Sequence, residues 1–214
     1  MTVALSAFYP LISLACPSAP NPLIDDAVRR SAREFCRRTL AVTEDITVAM
    51  VSSTKDYSPT LTASTEIIEA LRVKRPASAT LTTPEFLAPQ RQEYVDALTT
   101  GTGKPSMFCT LETFPRSLRM YPTPTAAENL TATFALMPTT TAVVFDDRLG
   151  SWYFDGVVAY AKYYLQSVAG QSWYDPEAAV LSYRQFEARV GETKVRRSQG
   201  IVEMDTSVQM RPFA

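Results

Sequence analysis

Two pairs of adjacent carboxylates, Asp25-Asp26 and Asp146-Asp147, are the groups in this chain most open to an acid–base reading. Hydrolysis by paired carboxylates needs two carboxyls converging across a cleft, one of them with a raised pKa. Adjacency along the chain supplies neither condition. Asp25-Asp26 reads more simply as dipole compensation in the first turn of a helix, and Asp146-Asp147 as a turn leading into another. A carboxylate-dependent cell-wall hydrolase, the enzymatic alternative, would need a cleft uniting two of Glu128, Asp146, Asp147 and Asp155. There is no histidine in the sequence. That removes Ser-His-Asp and Cys-His catalysis, His-ligated zinc and the usual pH switch together. Gly101-Thr102-Gly103-Lys104 looks like the end of a phosphate loop. The full G-x-x-x-x-G-K-[ST] pattern is absent, however, and Pro105 follows the lysine. The residues call for no metal and no cofactor.

The three cysteines, Cys16, Cys36 and Cys109, are widely spaced and form no C-x-x-C pair. They read as reduced thiols, half-buried in the fold. Leu14-Ala15-Cys16 has the outline of a lipoprotein cleavage site, which gives the second alternative, a lipid-anchored surface protein. No Lys or Arg precedes Cys16, so the basic n-region of a signal peptide is missing. Residues 1–20 read as a mature N-terminal arm, and no apolar run is long enough to span a membrane.

Lys194, Arg196 and Arg197 form a basic run that suits a helix C-terminus and also a nucleic-acid channel or an acidic partner. The net charge is −1 over 214 residues, which argues against a broad basic footprint for sequence-independent nucleic-acid binding. The aromatics Trp152, Tyr153, Phe154, Tyr160, Tyr163, Tyr164, Trp173 and Tyr174 could stack bases. They share a stretch with almost no charge, so core or subunit interface is the better reading.

The elements that must position these residues follow from periodicity. Asn21 and Pro22 suit the N-cap and first position of a helix, with Ile24, Ala27, Val28, Ala32 and Phe35 as its apolar stripe. Arg33, Arg37 and Arg38 fall in its last turn. Asp25, Arg29, Arg30, Arg33 and Arg37 form its polar face, either solvated or meeting a neighbour's carboxylates. From Val42 to Pro138 short alternating runs predict strands at Asp45–Ser52, Ile67–Arg75, Ser106–Glu112, Arg116–Tyr121 and Leu130–Met137. Short helical turns are expected at Pro84–Leu87 and Gln90–Leu98, and a mobile link at Thr100–Lys104. Ser151 suits the N-cap of a helix over Trp152–Ala169, closed by Gly170. Its Phe154, Val157, Val158, Ala161, Leu165 and Val168 face should pack within the protomer. Its Trp152, Gly156, Ala159, Tyr160 and Tyr163 face should meet a neighbouring subunit or another partner protein. A helix apolar on nearly every side needs burial on several, and a chain of this length struggles to provide that alone. Asp175-Pro176 opens a last helix with Ala179, Tyr183, Phe186 and Val190 inward. Ile201, Val202, Met204, Val208, Met210 and Phe213 then mark a tail built to dock.

The expected fold is α+β. An N-terminal helix and two C-terminal helices (residues 21–41 and 147–200) make a small bundle. A β-rich insertion (42–146) projects from it, and an extended docking tail (201–214) follows.

Three stretches together resemble one family. NPLIDDAVRRSAREFCRRT follows Cys16-Pro17. Leu118-Arg119-Met120-Tyr121-Pro122-Thr123-Pro124 precedes LTATFALMP. LGSWYFDGVVAYAKYYLQSVAGQSWYDPEAAVLSYRQFEARV closes the folded part. In this order they are similar to the head-to-tail adaptors (connector or neck proteins) of tailed bacteriophages, of the tail tubular A and P22 types. The resemblance covers about Cys16 to Gly200. It implies a structural, non-enzymatic protein of the virion neck, between capsid portal and tail, present in the host cytoplasm during assembly. It further implies a homo-oligomeric ring, twelve copies in such adaptors, that binds the portal protein and tail or nozzle proteins. Double-stranded DNA would pass through the channel without specific binding. No membrane is involved, and the tail from Ile201 to Phe213 would bind the portal.

Overall fold

In a computed structural model, residues 2–62, 64–76, 83–98, 101–113 and 115–201 are described. The helices are α1 (Tyr9–Ala15), α2 (Asn21–Thr39), α3 (Gln92–Ala97), α4 (Asp147–Ser151), α5 (Phe154–Gln166) and α6 (Pro176–Ile201). A 3-10 turn, Leu5–Phe8, leads into α1. The strands are β1 (Thr2–Ala4), β2 (Thr43–Met50), β3 (Asp56–Tyr57), β4 (Thr65–Arg75), β5 (Glu85–Phe86), β6 (Ala88–Pro89), β7 (Thr102–Gly103), β8 (Met107–Leu111), β9 (Ser117–Tyr121), β10 (Thr123–Pro124), β11 (Glu128–Pro138) and β12 (Val144–Asp146). The chain is α+β, with helices at both ends and strands between, as the periodicity predicts.

The insertion holds two four-stranded sheets, ordered β2-β11-β4-β5 and β3-β9-β8-β6. In the first, β11 is central and antiparallel to both β2 and β4. Leu130, Ala132, Phe134 and Leu136 of β11 are all buried. Register shifts against β4 at Thr133/Phe134 and Ala135/Leu136 bury Ala135 as well, because a bulge re-aims neighbouring side chains. The sheets are joined where the Thr110 hydroxyl accepts the Ala70 amide at 2.8 Å. Pro84–Leu87 differs from expectation: Glu85–Phe86 is a strand on β4. Thr102–Gly103, expected as a mobile link, pairs in parallel with Thr123–Pro124.

In the bundle α2, α5 and α6 pack together, and α2 also lies against β11. The α2 stripe of Ile24, Ala27, Val28, Ala32 and Phe35 is fully inside. Its start differs by one residue: Pro20 is the N-cap, Asn21 is already helical, and Asp25 and Asp26 lie beyond the first turn. They pair one turn on instead, Asp26 with Arg30 at 2.7 Å and Asp25 with Arg29 at 3.8 Å. The last turn holds Arg37 and Arg38 but not Arg33. Arg33 reaches Glu66 and the Pro138 carbonyl, joining α2 to the sheet. Most of the α2 arginine face is thus engaged within the chain.

The N-terminal segment is not a free arm. β1 pairs antiparallel with β12. Phe8, Ile12 and Cys16, spaced one turn apart, are at most 1% exposed and belong to the same core as α2, α5 and β11. The Tyr9 hydroxyl donates to Asp25, and that carboxylate pushes the phenol up to about 12. The predicted helix over Trp152–Ala169 is shorter at both ends, and a separate short helix precedes it. Asp146 caps α4 by accepting the Arg148 amide at 2.9 Å, Ser151 ends α4, and α5 begins only at Phe154. It ends at Gln166, so Gly170, at φ +81°, sits in the connection and not at C′. Asp175 caps α6 as expected, accepting the Ala178 amide at 3.0 Å.

Candidate assembly surface

α5 is wrapped by its own chain on three sides. Phe8 stacks on Phe154 with centroids 5.0 Å apart. Phe35 of α2 lies so near Gly156 that an added Cβ there would sit 2.6 Å from its ring. Tyr160 packs on Phe186 of α6 at 4.7 Å, and Tyr163 on Tyr183 at 4.9 Å. Ser31 also donates a buried hydrogen bond to the Val157 carbonyl. Gly156 and Ala159, small enough to admit a neighbouring helix, admit α2 and α6 of the same protomer. Tyr160 and Tyr163 are half-buried in that aromatic ladder. Of the five residues expected at a subunit contact, Trp152 is the one left open, at 72% exposure in the break between α4 and α5.

α6 runs antiparallel to α5, with Ser182 bonded to Gln166 near one end and Arg189 to Asp155 near the other. Ala179, Ser182, Phe186, Val190 and Thr193 face inward. Arg38 clamps Glu187 bidentately at 2.6 and 2.8 Å, with its guanidinium over the Phe186 ring. The outer face carries Leu181, Arg184, Ala188, Gly191 and Val195 at alternating three- and four-residue spacing, the seam pattern of helices that pair along their length. Leu181 is 58% and Val195 54% exposed. A Cβ on Gly191 would meet nothing within 4 Å. These outer residues were not singled out in the sequence. Their signal is the second apolar set on α6 after Tyr183, Phe186 and Val190 have been assigned inward.

Beyond Arg189, α6 overhangs the start of α5. The overhang and the sheet enclose a groove of about 980 Å³, lined among others by Leu40, Leu71, Arg72, Trp152, Arg196 and Arg197. Arg197 donates to the Thr39 carbonyl at 3.3 Å. Lys194 is exposed outside the groove. Ile201 ends α6, and Val202, Met204, Val208, Met210 and Phe213 lie outside the described residues.

Three of the four candidate carboxylates, Glu128, Asp146 and Asp155, are otherwise engaged. Asp146 takes two bonds from the Arg148 side chain, at 2.8 and 2.9 Å, and this guanidinium holds its carboxyl below the usual range, the reverse of what a general acid needs. Asp155 pairs with Arg189, and Glu128 with the buried Arg75. The cavity that Asp146 lines and the one that Asp155 lines hold none of the other three candidate carboxylates. Burial pushes the Cys16 and Cys109 thiols up and that of Cys36 to about 12, so none is poised as a thiolate. Cys16 packs in the core, where a lipid chain has no room. No described helix is long and apolar enough to cross a membrane.

An outward helix seam and an aromatic, basic groove are surfaces suited to assembly with other proteins. The sequence matches the SU10 adaptor protein family over residues 8–211. The chain belongs to that family of phage head-to-tail adaptors. A search of curated proteins finds no match. The protein is therefore a structural adaptor of the virion neck, and contact with portal and tail proteins, together with self-association, goes with that membership.

Proposed function

We propose that copies of this chain close into a ring beneath the portal, twelve in number as in similar adaptors, and that the ring continues the DNA channel and offers its far side to tail or nozzle proteins. The observation that carries this reading is the outer seam of α6, which leaves Leu181, Ala188, Gly191 and Val195 open around Arg184 while its inner stripe is filled. A heterologous contact of this kind must close on itself to avoid fibres. Trp152 joins the seam in the contact between neighbours, and Tyr160 and Tyr163 support it from within. Residues 201–214 dock on the portal. DNA slides through a channel of near-neutral protein without specific binding, with the exposed Lys194 facing it.

The test is imaging of portal-bearing heads mixed with the purified chain. A closed ring with an axial channel in line with the portal is the expected result. Discrete protomers scattered on the capsid surface, or heads left bare, would overturn it. Removal of residues 202–214 should leave a folded protomer that no longer attaches, and normal attachment would end the docking role of the tail.

A further inference from the structure

We propose that the groove beside Trp152 is a docking site for residues 202–214 of the same chain, which fold back along it in the free protomer. The groove has the chemistry of a peptide site. Leu40 and Leu71 supply apolar floor, and Trp152 stands 72% exposed above it. Arg72, Arg196 and Arg197 supply positive charge, and no carboxylate is among the lining residues. Exposed Trp and Arg around an apolar floor are the residue types that dominate binding energy when a partner covers them.

Length, position and charge select the occupant. α6 ends at Ile201, one turn past Arg197, so the helix stops about 6 Å along its axis from a residue that lines the groove. Extended, residues 202–214 reach roughly 40 Å, ample to double back over it. Their sequence is VEMDTSVQMRPFA. Glu203 and Asp205 come first, next along the sequence to Arg196 and Arg197 and opposite in charge to the groove. Val202, Met204 and Val208 alternate with them, and methionine adapts readily to an irregular apolar floor. This site gives Arg196 and Arg197 a role without a nucleic acid, and it stands whether or not the ring reading holds. In an assembling virion it would keep the tail covered until a better partner displaces it.

Hydrogen exchange on the full-length, isolated chain tests the proposal. The amides of residues 202–210 should exchange at least about tenfold more slowly than in an open chain, since docking removes them from free solvent access. This slowing should not change with protein concentration. Trp152→Ala should return those amides to the open-chain rate while α2 and α5 keep their protection. Arg196→Glu should do the same, and adding Glu203→Arg to it should restore the slowing. Open-chain exchange of the tail in the unaltered protein would overturn the proposal. So would slowing indifferent to Trp152→Ala, which places the tail elsewhere, and slowing that appears only as concentration rises, which assigns the groove to a second copy's tail.

Discussion

α5 and α6 are neighbours in sequence and opposite in character. α5 carries few charges and looks as if it lacks protein to cover it, yet Phe8, Phe35 and Phe186 enclose it from three elements. α6 carries charges along its whole length and looks like an ordinary amphipathic helix, yet Val180, Leu181 and Val195 remain outside, each more than half exposed. The apolar content of a helix does not tell which chain buries it; that depends on segments far away in sequence. Geometry adds a second reason. Twenty-six residues of α6 against thirteen of α5 give lengths of about 39 and 20 Å, so about half of the longer helix has no counterpart in α5. The surplus for assembly therefore sits on α6 and its overhang, beside Trp152, at 72% exposure.

The sharpest way to break this comparison is to uncover α5. Phe8→Ala should lower stability by about 3–5 kcal/mol, the range for truncating a fully buried Phe, as read by urea or thermal unfolding. Leu14→Ala, on the same segment but 81% exposed, should change it by no more than about 0.5 kcal/mol. Equal small effects would return residues 1–20 to the status of a loose arm. Phe35→Ala and Phe186→Ala belong with Phe8→Ala, since both rings are fully buried.

The next largest effect tests the closeness of α2 and α5. Gly156→Val places a side chain where Phe35 already stands, 2.6 Å from the new Cβ. Overpacking of this kind should cost about 1–3 kcal/mol. A neutral result at Gly156 would mean that the helices are farther apart, and would free this face for a neighbouring subunit.

How much of this was legible beforehand follows the range of each interaction. The five longer strands and the stripes of α2 and α6 were readable, because alternation and helical spacing are written within one element. The Asp175 cap was readable for the same reason. The break at Trp152-Tyr153 was not. Asp146 accepts the Arg148 amide and so starts a separate short helix that Ser151 ends, which takes Ser151 out of the N-cap role. Glu85–Phe86 was misread because its extended shape comes from pairing with Lys74 and Arg75, not from its own sequence. The N-terminal segment carried a readable signal in Phe8, Ile12 and Cys16. Its place against Phe154 and Phe145 is a contact across most of the chain, which periodicity cannot supply. The same holds for the groove: Arg196 and Arg197 were visible as a basic run, whereas Leu40, Leu71 and Arg72 join them only through the fold.

A smaller effect is expected from acid. The Arg148 guanidinium keeps the Asp146 carboxyl below its usual pKa in the folded protein. The stabilisation is then complete above the unfolded value of about 4 and is lost as pH falls through the lower folded one. Unfolding midpoints measured from pH 7 down to pH 3 should drop more steeply, below about pH 4, in the unaltered protein than in Asp146→Asn. Parallel curves would show that the cap of α4 contributes nothing through its charge.

The smallest effect on the protomer should accompany a large one on assembly. Leu181→Ser and Val195→Ser alter side chains that touch little within the chain, so each should shift stability by no more than about 0.5 kcal/mol. In a ring both would be covered, and losing a buried apolar side chain of this size removes about 1.5–3 kcal/mol from the contact. The concentration of chain that half-saturates portal-bearing heads should then rise at least about tenfold for either variant. Val157→Ser, on the enclosed helix, should do the opposite, lowering the unfolding midpoint sharply while whatever remains folded loads normally. If the serines on α6 load as well as the unaltered chain, the outward seam is ordinary surface, and the contact between neighbours must be sought on the β-rich insertion instead.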